Sequence, residues 1–434
     1  FILSLVTGVF FGLVPAFSAS RTRLNEALKQ GSRSATEGVG PRRLREIIVM
    51  SEVALAMILM IGAGLLIRSF VRVRNTSPGF QPQSVLTMSV DLPGAAYPTP
   101  EKVRSFFNQL KDRMQGVAGI DSFGFSTDLP LKAAWTRIFT PEGYNPPPGA
   151  AFNTCMNSIV LGNYFETMRI PLLEGRLFND HDRLESPAVV IVSQSIANRF
   201  WPNHDAIGKR LKWGPSQSAT DWLTVVGVVG DVKPGALDQE TRPHTYEPYL
   251  QSRGWLGPSN IAIRSSNSGS ALASVREIVA GLDNQLAITD IRTMSDLIDT
   301  SIASRRFSTF LLILFACTAL LLSTVGIYGV ISYSVTQRQN EIGLRMALGA
   351  DRGRILGLVF RQVALVVIAG IAIGLAGAAG LTRFLSGLLY EIRPLDAATM
   401  IGVSLLLGAV AAAASLIPAR GATRVDPASA LRSE

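Results

Sequence analysis

The chain has 434 residues, of which 47% are hydrophobic and only 17% are charged, a balance that predicts membrane-spanning segments. Its formal net charge is +9, and the predicted internal segments (19–46, 335–354 and 419–434) hold 14 Lys and Arg but only 7 Asp and Glu. Positive charge on short segments beside apolar runs follows the positive-inside rule, so a nucleic-acid-binding stripe is excluded as its source.

The first 17 residues are apolar and a basic stretch follows, which predicts the end of a membrane helix and its internal tail. Part of this pattern recurs at the other end of the chain, at a constant offset of 403 residues. The matching residues are Pro15 with Pro418, Ala16 with Ala419, Ala19 with Ala422, Arg21 with Arg424, Ala27 with Ala430, and Leu28 with Leu431. The repeat predicts a duplicated unit, in which residues 1–40 end one copy and 41–434 form the second.

Four complete apolar runs are long enough to cross a bilayer, which takes roughly 20 residues. They are Ile47–Ile67, Phe307–Ser334, Ile355–Leu381 and Met400–Pro418. The second run would be about 42 Å long as a helix and would exceed a hydrocarbon core of about 30 Å. We therefore expect a stiff rod that continues outward through Ser295–Arg306.

Three polar side chains interrupt these runs: Glu52 in the first, and Arg361 with Gln362 in the third. Each lies close enough to the inner end of its helix to reach the interface. The alternative is an intramembrane ion pair between Glu52 and Arg361 that holds two helices together. The sequence leaves both interpretations open.

Residues 68–306 form a long loop that nets only +2, and long loops are exempt from the positive-inside rule, so this segment is predicted to be external. Leu86, Met88, Val90 and Leu92 alternate with other residues, which predicts a half-buried strand. Further strands are predicted at 188–192, 225–232 and 260–265, and helices at 103–114 and 272–282. Strands and helices mix without strict alternation, which favours an α+β domain.

Small residues mark the last two spans. Gly370, Gly374, Gly377 and Gly380 lie in the third span, and Ala409 and Ala411–Ala414 lie in the fourth. Such residues let membrane helices approach closely. The packing partner is either another helix of the same unit or a second unit, and the sequence does not separate the two.

A short polar segment, Val335–Ala350, connects the second and third spans and carries an excess of Arg, which predicts the cytoplasmic side. Thr336 with Gln339 fits a helix capping box, and Ile342 and Met346 lie one turn apart on one face. The segment is either a solvated turn or a short amphipathic helix on which a soluble partner docks.

Motifs for catalysis or metal binding are missing from the sequence. Gly208-Lys209-Arg210 lacks both the Ser or Thr after Lys and the earlier Gly of a phosphate loop. Asp180-His181-Asp182 is more typical of a solvated loop than of a metal site, and neither a zinc-protease motif nor a nucleophile elbow occurs. We therefore predict no catalytic, cofactor-binding or metal residues, and no enzyme activity in these residues.

The amino-acid sequence of several segments resembles that of the MacB/FtsX-like ABC transporter permease family. The resemblance covers almost the whole chain and is most specific at Glu341-Ile342-Gly343-Leu344-Arg345-Met346-Ala347-Leu348-Gly349-Ala350. It extends to Gly62–Phe70, Gly326–Val330 and Pro418–Arg420. The apparent duplication resembles the duplicated orphan permease branch of that family.

This resemblance implies an α-helical membrane bundle of four transmembrane helices per unit, with a large α+β periplasmic domain between the first and second helix. The implied domains are the end of a preceding copy (1–40), the first helix (41–79), the periplasmic core domain (80–300, with a possible inserted subdomain at about 153–212) and the FtsX-like permease domain (301–434). It also implies an ATPase-coupling helix with Arg338, Glu341, Ile342, Gly343, Arg345, Met346, Ala347 and Gly349.

The same resemblance implies a multi-pass protein of the bacterial inner membrane that couples a cytoplasmic ABC ATPase, bound in trans, to movement of its periplasmic domain. ATP would be bound by that partner subunit, and the chain itself would need no cofactor. Further expected partners are a second permease copy in cis or a homodimer, a periplasmic adaptor or substrate, and the lipid bilayer, but no nucleic acid. The alternative is a membrane-tethered periplasmic binding or sensor module without an ATPase.

Overall fold

The computed structural model describes residues 39–337, except 133–134, 145–150, 204 and 255–256, and residues 352–422, except 384–386, 388 and 394. The described residues within 39–62, 315–383 and 395–422 form one compact unit, and those within 63–314 and 384–394 form another. The first unit is helical, and the second combines helices with a large sheet.

The helices of the described residues are α1 (Val39–Arg74), α2 (Pro100–Met114), α3 (Tyr164–Met168), α4 (Gln194–Phe200), α5 (Ser268–Leu282), α6 (Met294–Ser301), α7 (Ala303–Gln337), α8 (Arg352–Leu381) and α9 (Ala397–Ala422). Four of them, α1, α7, α8 and α9, are long and apolar enough to cross a membrane. These four contain the four predicted spans, because length and hydropathy are local properties of the sequence.

The strands are β1 (Val85–Val90), β2 (Ser122–Ser126), β3 (Trp135–Pro141), β4 (Thr154–Gly162), β5 (Leu172–Gly175), β6 (Val189–Ser193), β7 (Arg210–Trp213), β8 (Trp222–Val229), β9 (His244–Pro248), β10 (Asn260–Arg264) and β11 (Ile288–Thr293). They lie between α1 and α7 in the chain. The predicted fold class, a four-helix membrane bundle with an α+β domain between its first and second helix, is confirmed.

One half of the sheet has the strand order β11-β1-β10-β2-β4 and is covered on both faces. On one face, Leu86, Met88 and Val90 of β1 pack in a core that α2 and α5 complete. On the other face, Val85 belongs to a core with residues of α3 and α6, and Thr87 is buried as well. The prediction of a half-buried strand was therefore wrong, because a second layer of helices covers the face that alternation assigned to solvent.

The other half of the sheet closes on itself. Strands β4, β3, β7, β8, β6 and β9 pair in that order, and β9 then pairs with β4 to complete a ring of six strands. Its core combines residues of the strands with Ile196 and Trp201 on and after α4. The ring draws on residues 135–248, a wider stretch of the chain than the inserted subdomain predicted at 153–212.

Strand β4 belongs to both halves. It pairs with β3 near its start, where Trp135 lies opposite Asn157, and with β2 at its end, where Gly124 lies opposite Gly162. It also runs parallel to β9, with Met156 opposite His244. A Cβ at position 124 would lie 2.4 Å from the Cα of Tyr164, so only glycine allows β2 and the start of α3 to approach this closely.

The predicted stiff rod differs from the structure at its outer end. Helix α6 ends at Ser301 and α7 begins at Ala303, with Ile302 between them at φ −103° and ψ 0°. The backbone N–H of Arg306 donates to the carbonyl of Ile302 at 3.0 Å, so α7 starts immediately after this residue. The rod is therefore α7 alone, and residues 295–301 form a separate helix with its own capping box at Thr293 and Asp296.

A buried histidine lies where β4 and β9 run side by side. The His244 ring stacks on Tyr246 with ring centroids 4.4 Å apart, and its Nε2 lies 2.9 Å from the hydroxyl of Ser158. Burial lowers the pKa of His244 to about 3. Ser158 is only 1% exposed, so this Ser–His pair is sealed from substrates and acts as a structural contact.

His244 should make stability depend on pH. The unfolded chain takes up a proton on this residue below a pKa of about 6.5, whereas the folded chain does not until about pH 3, so the free energy of unfolding falls as pH falls between these values. The loss approaches about 1.4 kcal/mol per pH unit. We expect His244→Gln to flatten the slope between pH 6 and 4.5, measured as the free energy of unfolding in denaturant titrations. The exposed His181→Gln is the control, and equal slopes in both variants would contradict the account.

Candidate functional site

The helical unit is organised around α1. Half of the apolar window of α1 is buried inside the structure, against 17–22% for the windows of α7, α8 and α9. Exposed apolar side chains cover much of the other helices, including Phe310 and Val325 on α7 and Leu405 on α9. A bilayer would cover these side chains, and both α7 and α8 approach α1 closely.

Three predicted packing residues of α8 lie directly against α1. A Cβ on Gly370 would come within 2.7 Å of Val53, and one on Gly374 within 2.6 Å of the Met57 Cβ. A Cβ on Gly377 would lie 2.8 Å from the Cδ1 of Ile58. The first two also approach backbone carbonyls of α1 at 3.0 Å. We call Gly370, Gly374 and Gly377 the glycine row of α8. Its packing partner in this structure is the first helix of the same unit.

Helix α7 contacts α1 through another glycine. A Cβ on Gly326 would lie 2.2 Å from Oε2 of Glu52, so the carboxyl group occupies the space that a side chain would fill. This oxygen is buried, and no hydrogen-bond partner is found for it among the described residues. The Ser323 hydroxyl, one turn earlier on α7, is buried in the same way.

The described geometry does not contain the intramembrane ion pair that was one of the two interpretations of Glu52 and Arg361. Within the described part of the chain, no ion pair joins Glu52 to Arg361, and Arg361 is exposed. One oxygen of Glu52 faces α7 instead of the interface. Gln362 lies in α8, and its side chain is outside the described set.

The predicted ATPase-coupling residues lie outside the described residues, which end at Gln337 and resume at Arg352. This applies to Arg338, Glu341, Ile342, Gly343, Arg345, Met346, Ala347 and Gly349. The predicted end of a preceding copy, residues 1–40, also falls outside them apart from residues 39–40, the first two of α1. Helices α7 and α8 are thus the described elements that flank the coupling segment.

The sheet-containing unit holds a cluster that the sequence did not predict, and we call it the junction. It joins the end of α1, the start of α7, the segment 389–393 and the loop after β8. The backbone N–H of Tyr390 donates to Oγ of the buried Ser69 at 3.0 Å, and Arg72 pairs with Glu391 at 2.9 Å. The second pair is exposed and contributes little to stability.

The loop after β8 completes the junction. Arg305 at the start of α7 donates from Nε to Oδ2 of Asp238 at 2.6 Å, and both side chains are largely shielded from solvent. Lys233 donates to the carbonyl of Gln239 at 2.7 Å and lies above the Tyr390 ring. The junction therefore links the start of α7 directly to the loop after β8, and it links the end of α1 to that loop through the segment 389–393.

No local sequence signal could have found these contacts. Ser69 and Tyr390 are 321 positions apart, and Arg305 and Asp238 are 67 positions apart. Taken singly, none of these four residues belongs to a motif. Only a long-range pairing signal would have connected them.

Models of known protein families match both parts of the chain. Residues 47–282 match the model of the MacB-like periplasmic core domain, and residues 313–427 match that of the FtsX-like permease C-terminal domain. The fold and these matches define a membrane permease with a large periplasmic domain. The chain belongs to the MacB/FtsX-like ABC transporter permease family, as the sequence predicted.

Curated relatives agree with this assignment. The chain is 29% identical over 277 residues to the macrolide export ATP-binding/permease protein MacB of Marinobacter nauticus, and 30% identical over 285 residues to that of Azoarcus sp.. These matches cover 61% and 63% of this chain but 41% and 42% of the relatives, so the match spans about two-fifths of their length. The probable syringafactin export ATP-binding/permease protein SyfD of Pseudomonas syringae is 29% identical, covering 63% of this chain and 41% of that protein.

Among solved structures, the periplasmic region of MacB from Actinobacillus actinomycetemcomitans matches with a TM-score of 0.35 and 18% identity. That match covers 53% of this chain and 97% of the solved one. The extracellular domain of the transporter YknZ from Gram-positive bacteria matches with a TM-score of 0.32 and 16% identity, covering 48% and 100% of the two chains.

The glycine row of α8 gives a direct test of helix packing. We expect Gly374→Ala to destabilise the helical unit by about 1–3 kcal/mol, because its Cβ would overlap Met57. Gly402→Ala on α9 is the matched control, since no atom lies within 4 Å of its Cβ position. Thermal unfolding in detergent compares the two variants, and equal midpoints would mean that α8 does not pack on α1 in this way.

A double-mutant cycle tests the junction. Asp238→Asn and Arg305→Gln should each lower the free energy of unfolding, while the double variant should lose less than their sum, with a coupling energy of roughly 1 kcal/mol. Pulse proteolysis of the purified chain measures each variant. The control cycle uses the exposed pair Asp205–Lys209, for which we expect weaker coupling. Coupling no larger than in the control would show that the junction pair contributes nothing beyond a surface contact.

Proposed function

We propose that the chain is the permease subunit of an ABC-type export or mechanotransmission system in the bacterial inner membrane. A cytoplasmic ABC ATPase, bound in trans at residues 338–350, would drive movement of the periplasmic domain. ATP would be bound by that ATPase. The matched permease models and the transporter names of the relatives support this class of function.

Helix α7 is the main structural support. It runs without interruption from Ala303 to Gln337, about 52 Å at the rise of an α-helix, and so exceeds a hydrocarbon core of about 30 Å. Its first turn holds Arg305, which pairs with Asp238, and its last residue directly precedes the proposed docking segment. An uninterrupted helix transmits displacement along its axis, because bending it would strain its backbone hydrogen bonds.

Helix α1 supports the same mechanism. Its 36 residues run from Val39 to Arg74, and its last turns hold Ser69 and Arg72 of the junction. Close packing of α8 against α1 and of Gly326 against Glu52 would make α1, α7 and α8 move as one body. A push on the segment between α7 and α8 would then reach the junction through two helices.

The decisive residues for the test are Glu341 and Arg345. We expect the double variant Glu341→Ala/Arg345→Ala to lose co-purification with the cognate ABC ATPase and stimulation of its ATP hydrolysis in proteoliposomes, because it removes both charges from the proposed docking helix. Candidate ATPases are first screened for stimulation by the wild-type chain.

The matched control is Arg33→Ala/Glu37→Ala, which removes the same two charge types from another predicted cytoplasmic segment and should leave association intact. Unchanged association and stimulation in the Glu341/Arg345 variant would count against coupling at this segment. That result would favour a membrane-tethered periplasmic binding or sensor module instead.

A further inference from the structure

The six-strand ring of the external domain is filled at one end and open at the other. The filled end holds the apolar core around Val190, Leu211 and Val225. At the open end, strands β3, β6 and β8 begin, and β7 and β9 end. The cleft there has a volume of about 1130 Å³, which is ample for a drug-sized molecule.

A fixed polar network forms part of the cleft lining. Glu247 accepts hydrogen bonds from Arg137 at 2.9 Å and Asn157 at 2.8 Å on Oε1, and from the Trp213 indole at 3.2 Å on Oε2. The Arg137 guanidinium also lies 3.9 Å above the Trp213 ring. Four strands contribute one residue each, so the network is held in place by the ring itself.

The network leaves donor capacity for a ligand. Arg137 uses Nη1 for Glu247, and its side chain remains 39% exposed at the cleft. A guanidinium group has five N–H donors, so further donors are available to an oxygen acceptor such as a carbonyl or ether. Glu247, in contrast, already accepts three of its roughly four possible hydrogen bonds, and its charge is paired with Arg137, which disfavours a cationic ligand.

Two indole rings stand exposed in the same cleft. Trp135 is 62% exposed and Trp222 is 37% exposed, although tryptophan is usually well buried. The Lys212 ammonium lies 5.2 Å from the centroid of the Trp222 ring, but it already donates hydrogen bonds to the carbonyls of Ser216 and Ser218. Covering these rings with an apolar ligand surface would remove them from water and stabilise the complex.

Charge in the cleft is balanced. Among its described lining residues, Arg137 and Arg253 oppose Asp221 and Glu247. A balanced lining has no strong field to attract polyanions such as nucleotides, and it favours ligands that bind through apolar contact and a few hydrogen bonds.

We propose that this cleft binds a neutral, amphipathic organic molecule of drug size, with its apolar face on Trp135 and Trp222 and an oxygen acceptor on Arg137. The site lies within the external domain and needs neither ATP nor a partner subunit. The proposed site is separate from the coupling function proposed above, and the failure of either proposal would leave the other unaffected.

Digitoxigenin, a neutral steroid lactone with a rigid apolar ring system and a carbonyl acceptor, is a suitable probe. We expect saturable binding of the tritiated compound to the full chain in nanodiscs by equilibrium dialysis, without ATPase or nucleotide, after subtraction of empty nanodiscs. Trp135→Ala should weaken binding roughly tenfold, and Phe152→Ala is the control because it removes an equally exposed aromatic side chain outside the cleft lining.

Arg137→Lys separates the polar contact from the apolar one. It keeps the charge beside Glu247 but loses the forked donor geometry and the stacking on Trp213, so affinity for the lactone should fall. Binding is measured well below the unfolding midpoint of the variant, so that the loss reports on the contact and not on unfolding. An absence of saturable binding up to about 1 mM, or equal affinity in Trp135→Ala and Phe152→Ala, would overturn the proposal. So would binding of only the anionic steroid cholate, or of only extended peptides.

Discussion

The close approach of α7 and α8 to α1 is the constraint on which the helical unit depends. Between helices in lipid, the hydrophobic effect supplies little driving force, so association relies on packing at short distance. Gly370, Gly374 and Gly326 provide that distance because a Cβ at each position would overlap α1. The buried oxygen of Glu52 is a consequence of the same geometry, since it fills the space left by Gly326.

In the external domain, β4 has the corresponding role. It is the strand that the open half-sheet and the closed ring share, and each half has its own apolar core. The junction lies beside a third core, which takes in Val73 after the first span and Ile302 before α7. Covalent continuity and packing together fix both helix ends to the domain, so motion of these helices would act on its core and not on a loose tether.

The two proposals made above concern different parts of the chain. The proposed coupling relies on the long helix α7, whose first turn is paired with Asp238, whereas the proposed ligand site lies in the closed ring, where four different strands hold its polar residues. The family assignment itself rests on matches to both parts of the chain, the periplasmic core domain and the permease domain.

The sequence by itself determined the four spans, the insertion of an α+β domain between the first two, and the family. All three depend on hydropathy, length and short motifs, which are local. Only the tertiary structure decided that β1 is buried on both faces, that Glu52 meets Gly326, and that the strands from 135 to 248 close into a ring. The contacts of the junction were also decided only by the tertiary structure, because Ser69 and Tyr390 are 321 positions apart in the sequence. Periodicity tells which face of an element is apolar, but the partner that covers this face is set by the packing of distant segments.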